Sequence, residues 1–402
     1  MIPRLSDRAL LVLLAAVVAL GPIATNLYLP ALPSVRTYFG ATVAEVQATF
    51  SVSLVMFAFG ILAWGPFADR YGRRAAILSG LAIVVVGALV SLTARSLDWL
   101  VAGRAIQAFG TATGLVVARA IVSDRYPAER MVRVLAQLTM VAVTGNSLAP
   151  VLGGFLTAGF GWRSVFAVLV LATAATGFMV WRFLPETRPA TGQPPRGREM
   201  IATAWSLVRM PMFAGCVLQS AVVYATFLVF ISLAPYVMVS ALGRPATEFG
   251  FYYLFIAVGY FLGNWSVSRL MGRHDVHWMV MTGVMITVVG ALAALGFTAL
   301  GLEHPLWIFV PVGILSYGQG LALPNVTATA VSLAPQHAGV ASSTIGFLQQ
   351  LIGAACVQWM GHFPTDTPFP LLIFCAAVCL LGLAMIYVFP RVEAGRHHGA
   401  GA

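Results

Sequence analysis

Apolar residues run along this chain in blocks of roughly twenty, separated by short polar turns, from Ala9 to a last block that closes near position 389. A helix rises about 1.5 Å per residue, so each block is long enough to cross a hydrocarbon layer of about 30 Å. After the first block the pattern predicts spans at 45–65, 75–95, 99–119, 134–158, 164–184, 212–239, 248–269, 277–298, 306–330, 338–360 and 369–389, twelve spans in all. The first block could pass for a signal peptide, with Arg4 and Arg8 ahead of it, but eleven further spans behind it favour a retained helix. It closes on TNLYLPALP, Thr25 to Pro33, where Pro30 and Pro33 are expected to limit and kink its outer part. Asn26 and Tyr28 in that stretch are expected to face a central cavity, within reach of Arg104.

The longest polar interruption, Pro185 to Arg209, divides the spans six and six. The expected domains are an N-terminal six-helix bundle at 1–185, a cytoplasmic linker at 186–210, a C-terminal six-helix bundle at 211–390 and a cytoplasmic tail at 391–402. Equal halves are what a duplicated transporter bundle gives, with a substrate site near the midplane between them. A weak internal repeat supports duplication: DRYGRR, Asp69 to Arg74, follows the second span and RLMGRH, Arg269 to His274, follows the eighth, with Gly72 and Gly272 200 residues apart.

Composition fits lipid as the main solvent. The chain is 59% hydrophobic and 9% charged, against about a quarter charged in soluble domains, which excludes an ordinary soluble protein. Every basic residue is arginine, and eighteen of the 23 fall on one side if both termini are cytoplasmic. Only Arg36, Arg95, Arg163 and Arg244 fall outside, with Arg104 left over, and Arg119 counts among the cytoplasmic set. That asymmetry predicts a multi-pass membrane protein with both termini cytoplasmic. It also accounts for the net charge of +10 without a nucleic-acid partner. Cys216, Cys356, Cys375 and Cys379 all lie inside predicted spans and read as small apolar residues, and His397 with His398 belongs to the polar tail. No disulfide, metal site or cofactor is expected.

Three motifs carry the chemistry. GPFADRYGRR, Gly65 to Arg74, is a tight turn whose arginines a positive-inside loop explains, but Asp69 among them is not explained that way. LVAGRAIQAFGTATG, Leu100 to Gly114, sets Arg104, Gln107 and Thr111 on one helical stripe. Arg104 reads either as a snorkelling residue near the helix end or as a functional charge inside the membrane. GNSLAPVLGG, Gly145 to Gly154, combines Pro150 with Gly145, Gly153 and Gly154, which predicts a bent helix at a close helix contact.

With the twelve spans and the central linker, these motifs resemble the major facilitator superfamily over the full chain. YLPALP, the PET at 185–187 and GVASSTIGFLQQLIGAA at 339–355 are similar to its bicyclomycin and chloramphenicol resistance branch of drug:proton antiporters. The resemblance implies an all-α integral membrane fold of twelve helices in two pseudo-symmetric six-helix bundles. It implies that Gly65, Asp69, Arg70, Gly72, Arg73 and Arg74 form a gating loop that latches the halves, with Asp69 facing the start of the eleventh span near Gly339. It further implies an antiporter motif at Gly145, Pro150, Gly153 and Gly154, where Ala149 replaces the usual glycine, and a proton-transfer role for Arg104.

One departure changes the reading. Members of the branch commonly carry an aspartate just before YLP, and here the residue is Asn26, which cannot titrate. None of the thirteen acids falls at the midplane. Coupling could run through Asp69 or Asp124 near the helix ends, could be carried on the substrate, or could be absent or altered at Asn26. Candidate cavity residues are Asn26, Tyr28 and Gln107, together with Asn146, Gln219, Tyr224, Phe227, Tyr317 and Gln349 and the further in-span residues Tyr252, Tyr253, Asn264, Gln319 and Asn325, with plain helix–helix hydrogen bonding as the competing reading for those in the spans. Ser220, Tyr224 and Phe227 form the best aromatic wall.

The protein that the resemblance implies is a monomeric multidrug exporter of the bacterial inner membrane that moves small, partly apolar antibiotics, neutral or anionic rather than cationic, in exchange for protons by alternating access. A metabolite carrier of the same fold is the alternative. An intramembrane enzyme would need a nucleophile with a base, or a metal cluster, at depth, and the spans offer neither.

Overall fold

The structure, a computed structural model, describes residues 7–187 and 197–388. Arg4, Arg188, Arg196, Arg391, Arg396, Glu393, the His397–His398 pair, the tail at 391–402 and the linker positions 188–196 lie outside the described residues.

Among the described residues, twelve stretches are long and apolar enough to cross a membrane. The first is broken: α1 (Asp7–Asn26) ends at the TNLYLPALP segment, a 3-10 turn follows at Leu29–Ala31, and α2 (Leu32–Phe39) resumes. Pro30 and Pro33 lack the amide hydrogens a continuous helix would use, so the prolines interrupt the helix where a kink is expected. The remaining helices are α3 (Val43–Tyr71), α4 (Arg73–Leu92), α5 (Leu97–Arg125), α6 (Ala128–Phe160) and α7 (Arg163–Phe183) in the first half. A connecting helix α8 (Gly197–Val208) leads to α9 (Pro211–Tyr236), α10 (Ala246–Leu270), α11 (Val276–Ala299), α12 (Leu306–Ser332), α13 (Ala338–Met360) and α14 (Phe369–Val388).

Helix ends are closed by local chemistry, because lipid supplies no partner for free backbone groups. Thr42 and Glu45 form a reciprocal capping box at the start of α3. Ser96 and Asp275 accept from the third residue of α5 and α11. Gly72 and Gly272, the glycines of the internal repeat, both take positive φ, 96° and 87°, at equivalent turns. Only glycine adopts that backbone without strain, so the repeat is geometric as well as sequential.

The two halves repeat the same packing. In the first, α4 packs on α5 and α7, α3 on α5, and α1 on α6, α5 and α7; in the second, α11 packs on α12 and α14, α10 on α12, and α9 on α13, α12 and α14. Small residues set the close approaches, with Gly87 and Gly103 between α4 and α5 and Gly283 and Gly318 between α11 and α12. The most extensive contacts between the halves are α3 with α13 and α6 with α10, and the broken end of the first span, with α2, adds smaller ones to α9 and α10.

The core shows how the halves sit. At one end a single apolar cluster takes in both, including Leu29, Leu32 and Phe50 with Phe230, Leu233 and Val357. Hydrogen bonds cross there too: Gln47 Nε2 donates to Ser232 O (3.0 Å), Ser51 Oγ to Gln358 Oε1 (2.7 Å) and Gln358 Nε2 to Ala44 O (3.0 Å). At the other end the first half has its own core around Leu14, Ile77 and Ile121, and the second has another around Phe213, Ala330 and Ile345. The protein is thus sealed at one end and parted at the other.

Candidate functional site

Between the halves lies a cavity of about 440 Å3, within the range of ligand pockets. Its first-half wall comes from α1, α3, α5 and α6, and its second-half wall from α9, α10, α12 and α13. The lining is mainly apolar, and among the described residues it contains no aspartate or glutamate.

Asn26, Asn146, Tyr224, Phe227 and Gln349 line this cavity. Asn26, the last residue of α1, donates from Nδ2 to Pro22 O (3.0 Å) and, through a very short contact, to Asn146 Oδ1. Asn146 in turn donates to the Tyr253 hydroxyl (3.2 Å), carrying the chain across from α6 to α10. The Asn26 Oδ1 atom is buried without a partner.

Other candidates need correction. Tyr28 is fully buried behind the wall, its hydroxyl 3.0 Å from Thr49 Oγ1 and its ring against Phe166. Gln107 is buried and accepts from Arg104 Nη1 (3.2 Å), and Gln219 is buried against α14 at Gly382. Tyr317 points from α12 to α10, its hydroxyl 2.9 Å from Ser266 Oγ, and Ser220 is buried with its hydroxyl donating back to Val217 O. Each satisfies or packs a helix interface, the competing reading for polar residues in spans. The reason on α5 is rotational: at about 100° per residue, Arg104, Gln107 and Thr111 share one face, while the lining residues Ala108, Leu115 and Arg119 lie on its neighbour, about 60° around the helix.

Arg104 does not snorkel. It is 2% exposed, donates to Ala24 O (3.3 Å) and stacks over the Tyr28 ring with 4.7 Å between the guanidinium carbon and the ring centroid. It has no carboxylate partner among the described residues, so a π face and carbonyl oxygens offset its charge. An arginine cannot hand over a proton, so Arg104 can act only as a fixed charge.

The loop expected to gate, Gly65 to Arg74, sits at the parted end and is braced within the first half. Arg73 bridges Asp69 Oδ1 (2.8 Å) and Asp124 Oδ2 (3.0 Å). Glu186 of the PET triplet accepts from the backbone N–H groups of Arg73 (2.8 Å) and Arg74 (3.1 Å), capping α4. Arg74 donates to Trp181 O at the end of α7, and Arg70 stacks on Tyr71. Gly65 lies opposite Val116 without crowding, and a Cβ at Gly339 would meet nothing within 4 Å. The glycines at 145–154 do set close approaches: a Cβ on Gly145 would press on Ile23, one on Gly153 would meet the Leu27 carbonyl, and one on Gly154 would lie 3.0 Å from Thr247 Cα. They clamp α6 between α1 and α10, and the helix runs unbroken through Pro150.

Three residues matter here that sequence reasoning missed as site residues: Gln47 and Gln358 at the sealed end, and Glu186 at the loop; Tyr253 at the crossing and Gln319 are wall candidates that do line the cavity. Gln47 and Gln358 were legible as buried-depth amides in apolar spans. Glu186 carried no signal beyond its triplet.

The family described as the Major Facilitator Superfamily matches residues 14–357. The chain is 25% identical over 378 residues to a bicyclomycin resistance protein homolog of Haemophilus influenzae, covering 92% of this chain and 93% of that one. It is 29% identical over 421 residues to a chloramphenicol resistance protein of Pseudomonas aeruginosa, covering 98% and 94%. Among solved structures it is similar to a peptide transporter crystallised with sulfate, at a TM-score of 0.79 and 15% identity, covering 96% and 95%.

Proposed function

The chain belongs to the Major Facilitator Superfamily, a family of transporters and not of enzymes, and from that premise we propose that it exports small, partly apolar antibiotics by alternating access. The observation that carries the reading is the cavity itself: apolar with a few polar groups, reached from one end and sealed at the other. The names of the relatives, resistance proteins for bicyclomycin and chloramphenicol, support a drug as the cargo. The absence of a lining carboxylate among the described residues supports neutral or anionic drugs over lipophilic cations.

In this reading the parted end faces the cytoplasm, both termini lie there, and the membrane is the bacterial inner membrane. The moving units are the bundles at 1–185 and 211–390, acting within one monomer. Drug enters from the parted end and settles against Asn26, Tyr224, Phe227 and Gln349. The seal around Leu29, Phe50 and Phe230 then opens while the gating loop closes on the second half. Proton uptake belongs to the Asp69–Arg73–Asp124 cluster. There one guanidinium holds two carboxylates, and protonating either loosens its hold on Arg73. Each charge moved is worth about 2.3 kcal/mol per 100 mV of potential.

Accumulation of a phenicol in cells making the protein, with and without an uncoupler, tests this. The protein lowers accumulation and the uncoupler restores it; equal accumulation with and without the protein would sink the export reading.

A further inference from the structure

We infer that Arg119 is an anion-binding residue of the cavity, and that carboxylate-bearing amphipathic molecules are captured there. This rests on reading the cavity as the substrate pathway.

The side chain of Arg119 is exposed, lines the cavity, and makes no hydrogen bond, ion pair or ring contact among the described residues. Most arginines of the first half near this end are engaged: Arg70 by the Tyr71 ring, Arg73 by Asp69 and Asp124, Arg74 by Trp181, Arg125 and Arg130 by Asp7, and Arg182 by the Phe183 ring, whereas Arg8 and Arg133, like Arg119 without such a partner among the described residues, lie outside the cavity lining. Arg119 is the one arginine in the lining, and no carboxylate faces it from any wall among the described residues.

Its direction argues against an anchoring role at the headgroups. A helical side chain leans toward the helix N-terminus. For α5 that is the sealed end, so Arg119 leans into the cavity and away from the headgroups of the parted end, about 9 Å along the axis from Arg125. One turn deeper on the same face stands Leu115, and Leu135, Leu138 and Leu323 add apolar surface on the other walls. A free, forked donor set beside apolar wall suits a carboxylate carried on an apolar or aromatic body.

The test uses naphthaleneacetate and its neutral isostere naphthaleneacetamide, which share the aromatic body and differ in charge. Binding to the purified full-length protein in detergent is read by quenching of tryptophan fluorescence. The parent binds the carboxylate roughly tenfold more tightly than the amide, Arg119→Gln binds the two alike, and Arg119→Lys keeps most of the preference. Equal binding by the parent, no binding of naphthaleneacetate, or an undiminished preference in Arg119→Gln each overturns the inference. Loss of both ligands in Arg119→Gln and Arg119→Lys alike also overturns it. Phenicol export by the same proteins in vesicles separates this from the parent reading. A parent that shows the charge preference without exporting phenicol would retire the export function and leave Arg119 standing. Export without the preference would retire Arg119 alone.

Discussion

Arg104 lies over the face of Tyr28, guanidinium carbon to ring centroid 4.7 Å, and the pair is buried between α1 and α5. A buried charge without a counter-ion is expensive, and here the ring and the Ala24 carbonyl stand in for one. The substitution Tyr28→Leu is therefore expected to destabilise the protein by about 2 kcal/mol or more. Tyr28→Phe keeps the ring and costs about 1 kcal/mol or less, because Thr49 retains its bond to Val46 O. Thermal unfolding in detergent measures both. Equal loss in the two variants would assign the effect to the hydroxyl and remove the ring from the account.

Asn26→Asp places a carboxyl group beside Asn146 at the head of the cavity. Burial raises a carboxyl pKa, and the protonated acid reproduces part of the hydrogen bonding of the amide. The variant should transport like the parent at low pH and lose ground as pH rises through its pKa and the buried charge appears. The measurement is the ratio of variant to parent transport in proteoliposomes between about pH 5 and about pH 8; a flat ratio would contradict it.

Gln358 makes two of the hydrogen bonds that cross the sealed end. Gln358→Ala removes both at about 1 kcal/mol each, shifting the balance toward opening of that end by roughly tenfold or more. The labelling rate of Ala44→Cys by a membrane-impermeant maleimide, in a background lacking the four native cysteines, should rise by that order. An unchanged rate would show that apolar packing alone holds the seal.

Glu186 caps α4 through two backbone N–H groups. Glu186→Ala should destabilise the first half by about 1–2 kcal/mol and Glu186→Gln by less, since the amide oxygen still accepts. Gly72→Ala should be at least as damaging, because it strains a backbone at φ 96° and drives a methyl into the Glu186 carboxylate. Midpoints of thermal unfolding rank the three.

The spans were legible because lipid thickness fixes their length, and the paired turns at Gly72 and Gly272 because only glycine serves there. Tyr28 lies in the turn after α1, where helical spacing no longer applies, and Gln107, Gln219 and Tyr317 were misplaced for one physical reason. Spacing along a helix tells which residues share a face, but the rotation of that helix against its neighbours decides what the face meets. On α5 a turn of about 60° separates the buried stripe of Arg104 from the cavity face of Arg119. Arg119 itself was absorbed into the topological charge count, which asks only at which end a cation stands. Asn26 was marked by its context and does line the cavity, but its bond to Asn146 joins positions 120 residues apart and could not be read from either.

The sealed end is closed by hydrocarbon contact and neutral amides, and no ion pair spans it among the described residues. A closure of that kind is indifferent to ionic strength, and opening it to water exposes apolar surface, which carries a positive heat capacity. The equilibrium between the two orientations should therefore curve with temperature instead of following a straight van't Hoff line.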